Sequence, residues 1–234
     1  MRTKTLLLTA ALGAASIASS MAQVYSANAV GYVNLSLPAG YSLISNPLIG
    51  TNNHLNTILP LPNSADGTVI YRFKPSIQNY GNPIQFIEGF GWYVPDELAS
   101  FLDLPPGEGV FILPSGPTPL NVTFVGEVPQ GNLAHAVPSN FSIQASEVPQ
   151  ALPIGQDNAA GTLQFPAVDG DVVYIFDSST QSYKEPYGFI EGFGWYSENA
   201  DNPGPNGPVI PVGTSFFVSK FGASTTWDRQ FSVN

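Results

Sequence analysis

FIEGFGWY occupies residues 86–93, and the same eight letters return at residues 189–196. In each copy, glycines flank a phenylalanine, which is typical of a tight turn or bulge because glycine accepts positive φ without steric cost. The aromatic side chains on either side would then fill an apolar core, where each buries a large area. The octet therefore predicts one structural unit, present twice, with a tight turn and core aromatics in each copy.

The octet lies at the end of a longer internal match. Residues 66–93 align with residues 169–196 without a gap, and more than half of the aligned positions are identical. Two shorter matches flank this alignment: LPAGYSLI at 37–44 with VPSNFSIQ at 137–144, and PGEGVFI at 106–112 with VGTSFFV at 212–218. The similarity thus covers most of the chain after its first residues.

The match predicts two tandem units. The first covers residues 23–131 and includes an N-terminal strand, and the second covers residues 132–234. A period of this length is too long for a solenoid repeat, so each unit is expected to be a domain or half of one. Because the connection between the units is short, they are expected to pack against each other.

The apolar pattern within each unit is typical of β-strands. Val69, Tyr71 and Phe73 occupy alternate positions, so they are predicted to share one strand face and to form core. Frequent Gly and Pro, 23 and 22 residues of 234, supply turns and break helices. The expected fold is all-β, with two tandem duplicated small antiparallel β-sandwich or barrel units packed together. Further strands are predicted at residues 41–45, 109–113, 122–125, 141–145 and 215–219.

The first 22 residues have the layout of a cleavable secretory signal peptide. A short basic start precedes an uncharged, alanine-rich apolar run over residues 6–18. Ser20 and Ala22 place small residues at the cleavage-determining positions, which predicts a mature chain from Gln23. The apolar run is short for a membrane span, which needs ~20 residues. The protein is therefore expected to be exported, to the periplasm, the cell surface or the extracellular space.

The composition is acidic and poor in charge. Lys and Arg number 7 against 17 Asp and Glu, the formal net charge is −10, and 10% of residues are charged. An acidic surface repels nucleic acid and anionic membranes, so neither is an expected partner, and no membrane span is expected. The chain has no Cys, which excludes disulfides, thiol nucleophiles and thiolate metal sites. The fold is therefore expected to rest on packed apolar side chains.

Three segments carry a resemblance to a known repeat: GYSLISNPL at 40–48, a Val-x-Tyr-x-Phe strand at 69–73, and LPPGEGVFI at 104–112. Together they resemble a β-rich repeat of many exported bacterial proteins, and VYSANAVGYV at 24–33 is similar to the mature start of a group of such proteins. The resemblance implies a secreted β-rich module in two tandem copies, often an accessory part of larger surface proteins, and implies no catalytic residues. The second copy departs from the pattern, because Thr214 and Ser215 replace Glu108 and Gly109.

The octets also suggest a ligand site. Trp92 and Trp195 could stack on sugar faces, and Glu88 and Glu191 could accept hydrogen bonds from sugar hydroxyls. The alternative is that both tryptophans fill the core. Solvent exposure of the indole rings separates the two interpretations.

No catalytic residue, metal ligand or cofactor is predicted. Duplicated carboxylates could form a catalytic pair, as in aspartic proteases and glycosidases, but the Ser or Thr that follows the acid in the protease loop is missing. His54 and His135 lack the spacing of a ligand pair. Asp169 and Asp171 could touch Ca²⁺, but the other oxygen ligands of an EF-type loop are missing, and turn positions explain both residues.

These observations favour a non-catalytic exported structural or interaction protein of the cell surface or extracellular matrix, and not an enzyme. Two alternatives remain open: a glycan-binding module that uses the duplicated octets, and a hydrolase with an unrecognised carboxylate site. A further hypothesis is self-association, because YSAN at residues 25–28 resembles FSVN at residues 231–234; the alternative is that residues 24–35 simply form the first strand of the first unit. The N-terminal strand could therefore pair with a terminal strand, either in its own molecule or head to tail in another.

Overall fold

The computed structural model describes residues 29–198 and 204–233. The predicted signal peptide, residues 1–22, and the YSAN segment lie outside the described residues. The described chain consists of antiparallel sheets with one short α-helix, α1, at Leu55–Ile58, so the all-β prediction is confirmed. Two 3₁₀ turns, at Asn63–Ala65 and Ala99–Leu102, lie in the connections.

The strands fall into two groups, and strand pairs form within each group. In the first half, here residues 29–130, the strands are β1 Val30–Leu37, β2 Ser42–Ser45, β3 Val69–Tyr71, β4 Phe73–Lys74, β5 Asn79–Tyr80, β6 Ile84–Ile87, β7 Gly91–Tyr93, β8 Gly109–Leu113 and β9 Leu120–Glu127. In the second half, here residues 131–233, they are β10 Gly131–Val137, β11 Asn140–Gln144, β12 Leu152–Pro153, β13 Val172–Tyr174, β14 Phe176–Asp177, β15 Ser182–Tyr183, β16 Tyr187–Ile190, β17 Gly194–Tyr196, β18 Val209–Ile210, β19 Phe216–Lys220 and β20 Thr225–Phe231. Each strand predicted from the sequence overlaps strands of this set, with ends that differ by up to two residues.

Each half contains a five-stranded sheet and a long two-stranded ribbon. The strand order is β2-β8-β3-β6-β7 in the first half and β11-β19-β13-β16-β17 in the second. The ribbons pair β1 with β9 and β10 with β20. Equating the two octets makes the two sheet orders identical, strand for strand.

The core of each half lies between the five-stranded sheet and the ribbon. In the first half, Ile70 and Ile84 of the sheet belong to the same buried cluster as Phe124 of β9. In the second half, Val173 of the sheet is buried with Trp227 of β20. Each half is therefore a small sandwich, and burial of apolar area at roughly 25 cal/mol per Å² is its main source of stability.

The prediction that Val69, Tyr71 and Phe73 form the core of the first unit is wrong. Ile70, on the opposite face of β3, is fully buried in that core, whereas Tyr71 and Phe73 are half-buried against a separate cluster between the halves. The five-stranded sheet is covered on both faces, by its ribbon and by the other half. Apolar residues therefore occupy both alternating positions, and alternation alone does not identify the inner face.

The outer faces of the two five-stranded sheets pack against each other. Leu43 and Phe111 of the first half and Ile143 and Phe217 of the second form one buried apolar cluster. Each of these side chains is less than a tenth exposed, so the halves share a continuous apolar interface.

Backbone hydrogen bonds cross this interface in matching pairs. The amide of Ser45 donates to the carbonyl of Gly213 at 2.9 Å, and the amide of Ala145 donates to the carbonyl of Gly107 at 3.0 Å. In the sequence alignment, Ser45 corresponds to Ala145 and Gly107 to Gly213. Each half therefore presents the same donor and the same acceptor to the other.

Two glutamines clamp the opposite half in the same reciprocal way. Gln181, at the β14–β15 turn, accepts from the amide of Tyr41 at 2.7 Å and donates to its carbonyl at 2.9 Å. Gln78, at the β4–β5 turn, makes the equivalent bonds to Phe141 at 2.9 and 3.0 Å. These clamps fix the β4–β5 and β14–β15 hairpins across the interface.

Candidate functional site

The octets form β-hairpins at one edge of each five-stranded sheet. Strands β6 and β7 pair through Phe86 and Trp92, and β16 and β17 pair in the same register. Gly91 has a φ of 95°, and a Cβ there would collide with the side chain of Asn56. The amide of Trp92 donates to Asn56 Oδ1 at 2.6 Å, so the absence of a side chain at Gly91 permits this approach.

Both octet tryptophans are core side chains. Trp92 is 1% exposed and Trp195 is 0% exposed. Each indole Nε1 donates to a backbone carbonyl, of Leu59 at 2.8 Å and of Gly155 at 2.6 Å. A buried indole with a satisfied N–H is a stabilising element, and neither ring offers an exposed face to a sugar.

The exposed part of each octet is its turn. Glu88 is exposed, and its amide donates to Asp66 Oδ1 at 2.8 Å; Glu191 is exposed and is held in the same way by Asp169. Beside Glu88, the exposed rings of Phe90 and Tyr93 meet edge to face at 5.8 Å, and the second octet has the equivalent pair. The predicted site residues are thus divided: the glutamates lie at the surface of separate hairpins, and the tryptophans lie in the two cores.

A hollow lined by aromatic side chains opens where the two halves meet. Its volume is about 400 Å³, within the range of small-molecule sites. We call it the aromatic pocket; the side chains that line it are Tyr41, Tyr71, Tyr80 and Phe111 of the first half and Phe176 and Tyr183 of the second. The pocket therefore needs both halves in contact.

The rings of the aromatic pocket stand at steep angles to one another. Phe111 and Phe176 meet across the halves at 5.1 Å with an interplanar angle of 88°. Phe176 and Tyr183 meet at 5.4 Å and 77°, and Tyr71 and Tyr80 at 6.5 Å and 86°. Edge-to-face contacts are favourable between aromatic rings. They surround the hollow with differently oriented rings and do not produce a row of parallel slots.

The hydroxyls of Tyr71, Tyr80 and Tyr183 remain protonated at neutral pH. Burial raises the pKa of Tyr71, and the nearby hydroxyl of Tyr41 raises it further. Burial and then Tyr41 raise the pKa of Tyr80, and burial and then Tyr80 raise the pKa of Tyr183. Each neutral hydroxyl can donate one hydrogen bond and accept others. The pocket lining is therefore uncharged, and only its tyrosines carry a polar group.

These pKa shifts predict a loss of stability in alkaline solution. Because the folded state holds the protons of Tyr71, Tyr80 and Tyr183 more tightly than the unfolded state, their contribution is complete below the ordinary pKa of 10.0. This stabilising contribution decreases as the pH rises through the higher pKa values that the three tyrosines have in the folded state. In a pH titration, we expect tyrosinate absorbance to appear at a higher pH in the native protein than in the protein unfolded by denaturant. An unfolding free energy that stays constant from about pH 9 to about pH 11 would contradict this prediction.

The corresponding position of the second half lacks one hydroxyl. Tyr41 contacts the rings of Tyr71 and Phe111, and Phe141 makes the equivalent contacts around its own half. The backbones of Tyr41 and Phe141 are held by the same glutamine clamp. A phenylalanine therefore fits this local environment, which makes Tyr41→Phe a conservative way to remove one pocket hydroxyl.

Sequence reasoning missed the aromatic pocket. It assigned Tyr71 to the core and predicted no role for Tyr80. A signal was available in the alignment, because Tyr71, Phe73 and Tyr80 are all identical in the second unit at Tyr174, Phe176 and Tyr183. Of these six residues, Tyr71, Tyr80, Phe176 and Tyr183 line the pocket. Their assembly depends on the packing of the two halves, which no local pattern encodes.

A second and larger hollow between the halves has ionic walls. Its volume is about 810 Å³. Its charged side chains form contacts within their own halves: Arg72 with Glu108, Lys74 with Glu97 at 2.6 Å, and His135 Nδ1 with Glu147 at 3.3 Å. These carboxylates already have basic partners, so a hydrolase that used them would have to rearrange those pairs.

Comparisons with other proteins leave the local geometry as the basis for function. In residues 29–198 and 204–233, no group of three or more His, Cys, Asp or Glu is arranged to hold a metal ion. Within the same described part of the chain, no helix is long and apolar enough to cross a membrane. No protein-family model, curated protein or solved structure matches this chain.

Proposed function

We propose that the protein is an exported, non-catalytic interaction protein of the cell surface or extracellular matrix that holds an uncharged ligand in the aromatic pocket. The observation that carries this proposal is a concave site of about 400 Å³ whose six lining side chains are all aromatic. A mostly apolar hollow with a few convergent polar groups is the usual form of a small-molecule site. The signal-peptide pattern of residues 1–22 supports export.

The pocket is preorganised by the interface that creates it. Gln181 holds both backbone groups of Tyr41, and Phe111, at 8% exposure, anchors the wall on the buried cluster between the halves. Ordering a site before the ligand arrives reduces the entropy that binding has to overcome. This is the arrangement expected of a binding site.

We further propose that the two halves are copies of one duplicated module. The gap-free alignment of residues 66–93 with residues 169–196, the equal sheet orders and the reciprocal glutamine clamps support this. In this proposal the pocket arose when two copies packed face to face. Its function would therefore belong to the pair and not to either module.

A glycan site at the octets is the second candidate, and exposed aromatics favour it. Phe90 is 67% exposed and Tyr93 45% exposed, next to Glu88, and the second octet repeats this arrangement. In such a site Phe90 and Tyr93 would replace Trp92 as the platform. We favour the aromatic pocket because six rings around a hollow contact more of a ligand than a pair on a hairpin turn.

We also propose self-association through the N-terminal strand, which would compete with the pairing of this strand inside its own molecule. β1 pairs with β9 along its whole length, from Val30 opposite Glu127 to Leu37 opposite Leu120. Exchange between molecules would have to break this ladder or use the YSAN segment at residues 25–28. Light scattering over a concentration series, comparing the mature chain with a chain that starts at Gly31, tests it.

The pocket proposal predicts that small uncharged molecules bind there. We would record saturation-transfer NMR with phenol, cyclohexanol, methyl β-glucoside and N-acetylproline amide on the unmodified protein and on Tyr183→Ala. Tyr93→Ala is the matched control, because Tyr93 and Tyr183 are 45% and 44% exposed and only Tyr183 lines the pocket. We expect at least one probe to receive saturation from the unmodified protein and Tyr93→Ala but not from Tyr183→Ala. Signals that persist in Tyr183→Ala, or no signal from any probe, would refute the pocket as a binding site.

A further inference from the structure

We propose that the ligand of the aromatic pocket is a neutral glycan, of which one or two pyranose rings enter the hollow. This inference rests on the proposed function, since it names the class of ligand for the same site. It follows from the ring faces, the hydroxyls and the charge of the lining.

The ring faces suit the C–H surfaces of a sugar. An aromatic face carries partial negative charge, and the axial C–H groups of a pyranose carry partial positive charge. Phe176 meets Phe111 at 88° and Tyr183 at 77°, so these three rings can contact a compact ligand from more than one side. A pyranose ring presents C–H groups on both of its faces and matches this arrangement.

The hydroxyls suit the periphery of the same ligand. Four of the lining residues, Tyr41, Tyr71, Tyr80 and Tyr183, are tyrosines, and a tyrosine hydroxyl can both donate and accept. A sugar hydroxyl has the same dual capacity, so either partner can act as the donor in each pair. A purely apolar ligand would not replace the hydrogen bonds that water makes to these hydroxyls, which costs free energy.

The charge of the pocket and of the chain selects against acidic sugars. None of the six lining side chains carries a charge at neutral pH, and the chain has a formal net charge of −10. A uronate or sulfated sugar would lose hydration without gaining an ionic partner in the pocket. We therefore expect discrimination in favour of neutral chains.

The alternative occupant is a proline-rich segment, which also binds aromatic grooves. An extended polyproline helix repeats every three residues and needs a row of parallel slots along its length. The pocket instead has rings at 86° and 88° around one hollow of about 400 Å³. This geometry favours a compact ring over an extended segment.

The test is a titration of the full mature chain by isothermal calorimetry with cellotetraose, xylotetraose, maltotetraose and mannotetraose. Tetragalacturonate and a hexaproline peptide are titrated separately as the charged and the extended alternative ligands. We expect at least one neutral tetrasaccharide to bind, and we expect no binding of tetragalacturonate or hexaproline. Tyr41→Phe should weaken that binding about two- to tenfold, the range that one hydrogen bond supports, while the ring stays in place.

Two further variants separate binding in the pocket from effects on folding. Phe141→Tyr adds a hydroxyl at the corresponding position outside the pocket and should leave affinity unchanged. Tyr183→Ala should weaken binding at least about tenfold, because it removes a pocket wall. If the loss of that ring unfolds the protein, Tyr183→Phe supplies the measurement, with an expected weakening similar to that of Tyr41→Phe.

The outcomes separate this inference from the proposal beneath it. If the small probes bind the pocket but all four neutral tetrasaccharides fail, the glycan inference is wrong and the pocket proposal stands. If hexaproline binds and Tyr183→Phe weakens it, the occupant is a peptide and the glycan inference is again wrong. If a tetrasaccharide binds equally well to Tyr41→Phe, Tyr183→Phe and Tyr183→Ala, glycan binding lies elsewhere, which points to the octet turns.

Discussion

Trp195→Ala is expected to lower the free energy of unfolding by about 3–5 kcal/mol, and Trp92→Ala by a similar amount. The indoles are 0% and 1% exposed, so truncation removes a large apolar side chain and leaves a cavity. Each also removes an Nε1–H donor to a buried backbone carbonyl, of Gly155 or of Leu59. Domains of this kind are stable by roughly 5–15 kcal/mol, so either change is a large fraction of the total.

Chemical denaturation followed by far-ultraviolet circular dichroism measures this effect without relying on tryptophan fluorescence. Phe90→Ala is the matched control, because Phe90 belongs to the same octet but is 67% exposed. A change there should stay within about 0.5 kcal/mol. A denaturation midpoint of Trp195→Ala equal to that of the unmodified protein would place the indole at the surface and restore it as a sugar platform.

The octet shows how much of the fold could be predicted from sequence. Glycines around Phe90, and aromatics on either side, predicted a tight turn with core side chains, because those constraints act within a few residues. The structure has Gly89 and Gly91 at positive φ and Trp92 in the core, but Tyr93, which the same argument assigned to the core, is 45% exposed. The steric requirements of the turn could therefore be predicted directly from the sequence.

The face of β3 could not be predicted in the same way. Tyr71 and Ile70 are both apolar enough for a core, and only the packing of a second half against the sheet decides which lies inside. The aromatic pocket depends on the same event, because Phe176 reaches Phe111 from the other half. Features that depend on long-range packing need the three-dimensional arrangement, and a pattern of period two does not contain it.

Asp171 is a further case in which short-range reasoning was incomplete. The sequence assigned Asp169 and Asp171 to turn positions, and Asp169 does lie at a turn, where it accepts from the amide of Glu191 at 3.0 Å. Asp171 is instead fully buried and pairs with Lys220, which is distant in sequence. A buried carboxylate needs such a partner, since its charge is costly to desolvate alone.

The Asp171–Lys220 pair is buried, and both of its charged groups are hydrogen-bonded. Lys220 Nζ donates to Asp171 Oδ2 at 2.5 Å and to the carbonyl of Pro166 at 2.8 Å. The carboxylate also accepts from the amides of Phe221 and Val168, both at 2.9 Å. It therefore links β19 to the segment that precedes β13.

Asp171→Ala is expected to lower the free energy of unfolding by about 3–5 kcal/mol, because it leaves the Lys220 ammonium buried without a counter-charge. Lys220→Met should cost a similar amount by leaving the carboxylate unpaired. Raising the salt concentration should change neither value much, since a buried pair is weakly screened. Urea denaturation at two ionic strengths measures both effects.

The first half of the chain suggests a control variant for the Asp171–Lys220 pair. Thr68 stands where the second half has Asp171, is fully buried, and accepts from the amide of Ser115 at 3.3 Å, as Asp171 accepts from that of Phe221. A double variant, Asp171→Thr with Lys220→Met, removes both charges and keeps an acceptor for that amide. Because the single variants suffer from an unpaired buried charge, the double variant should be more stable than either of them. Additive losses in the double variant would show that the two charges do not stabilise each other, and that the pair is only a neighbour contact.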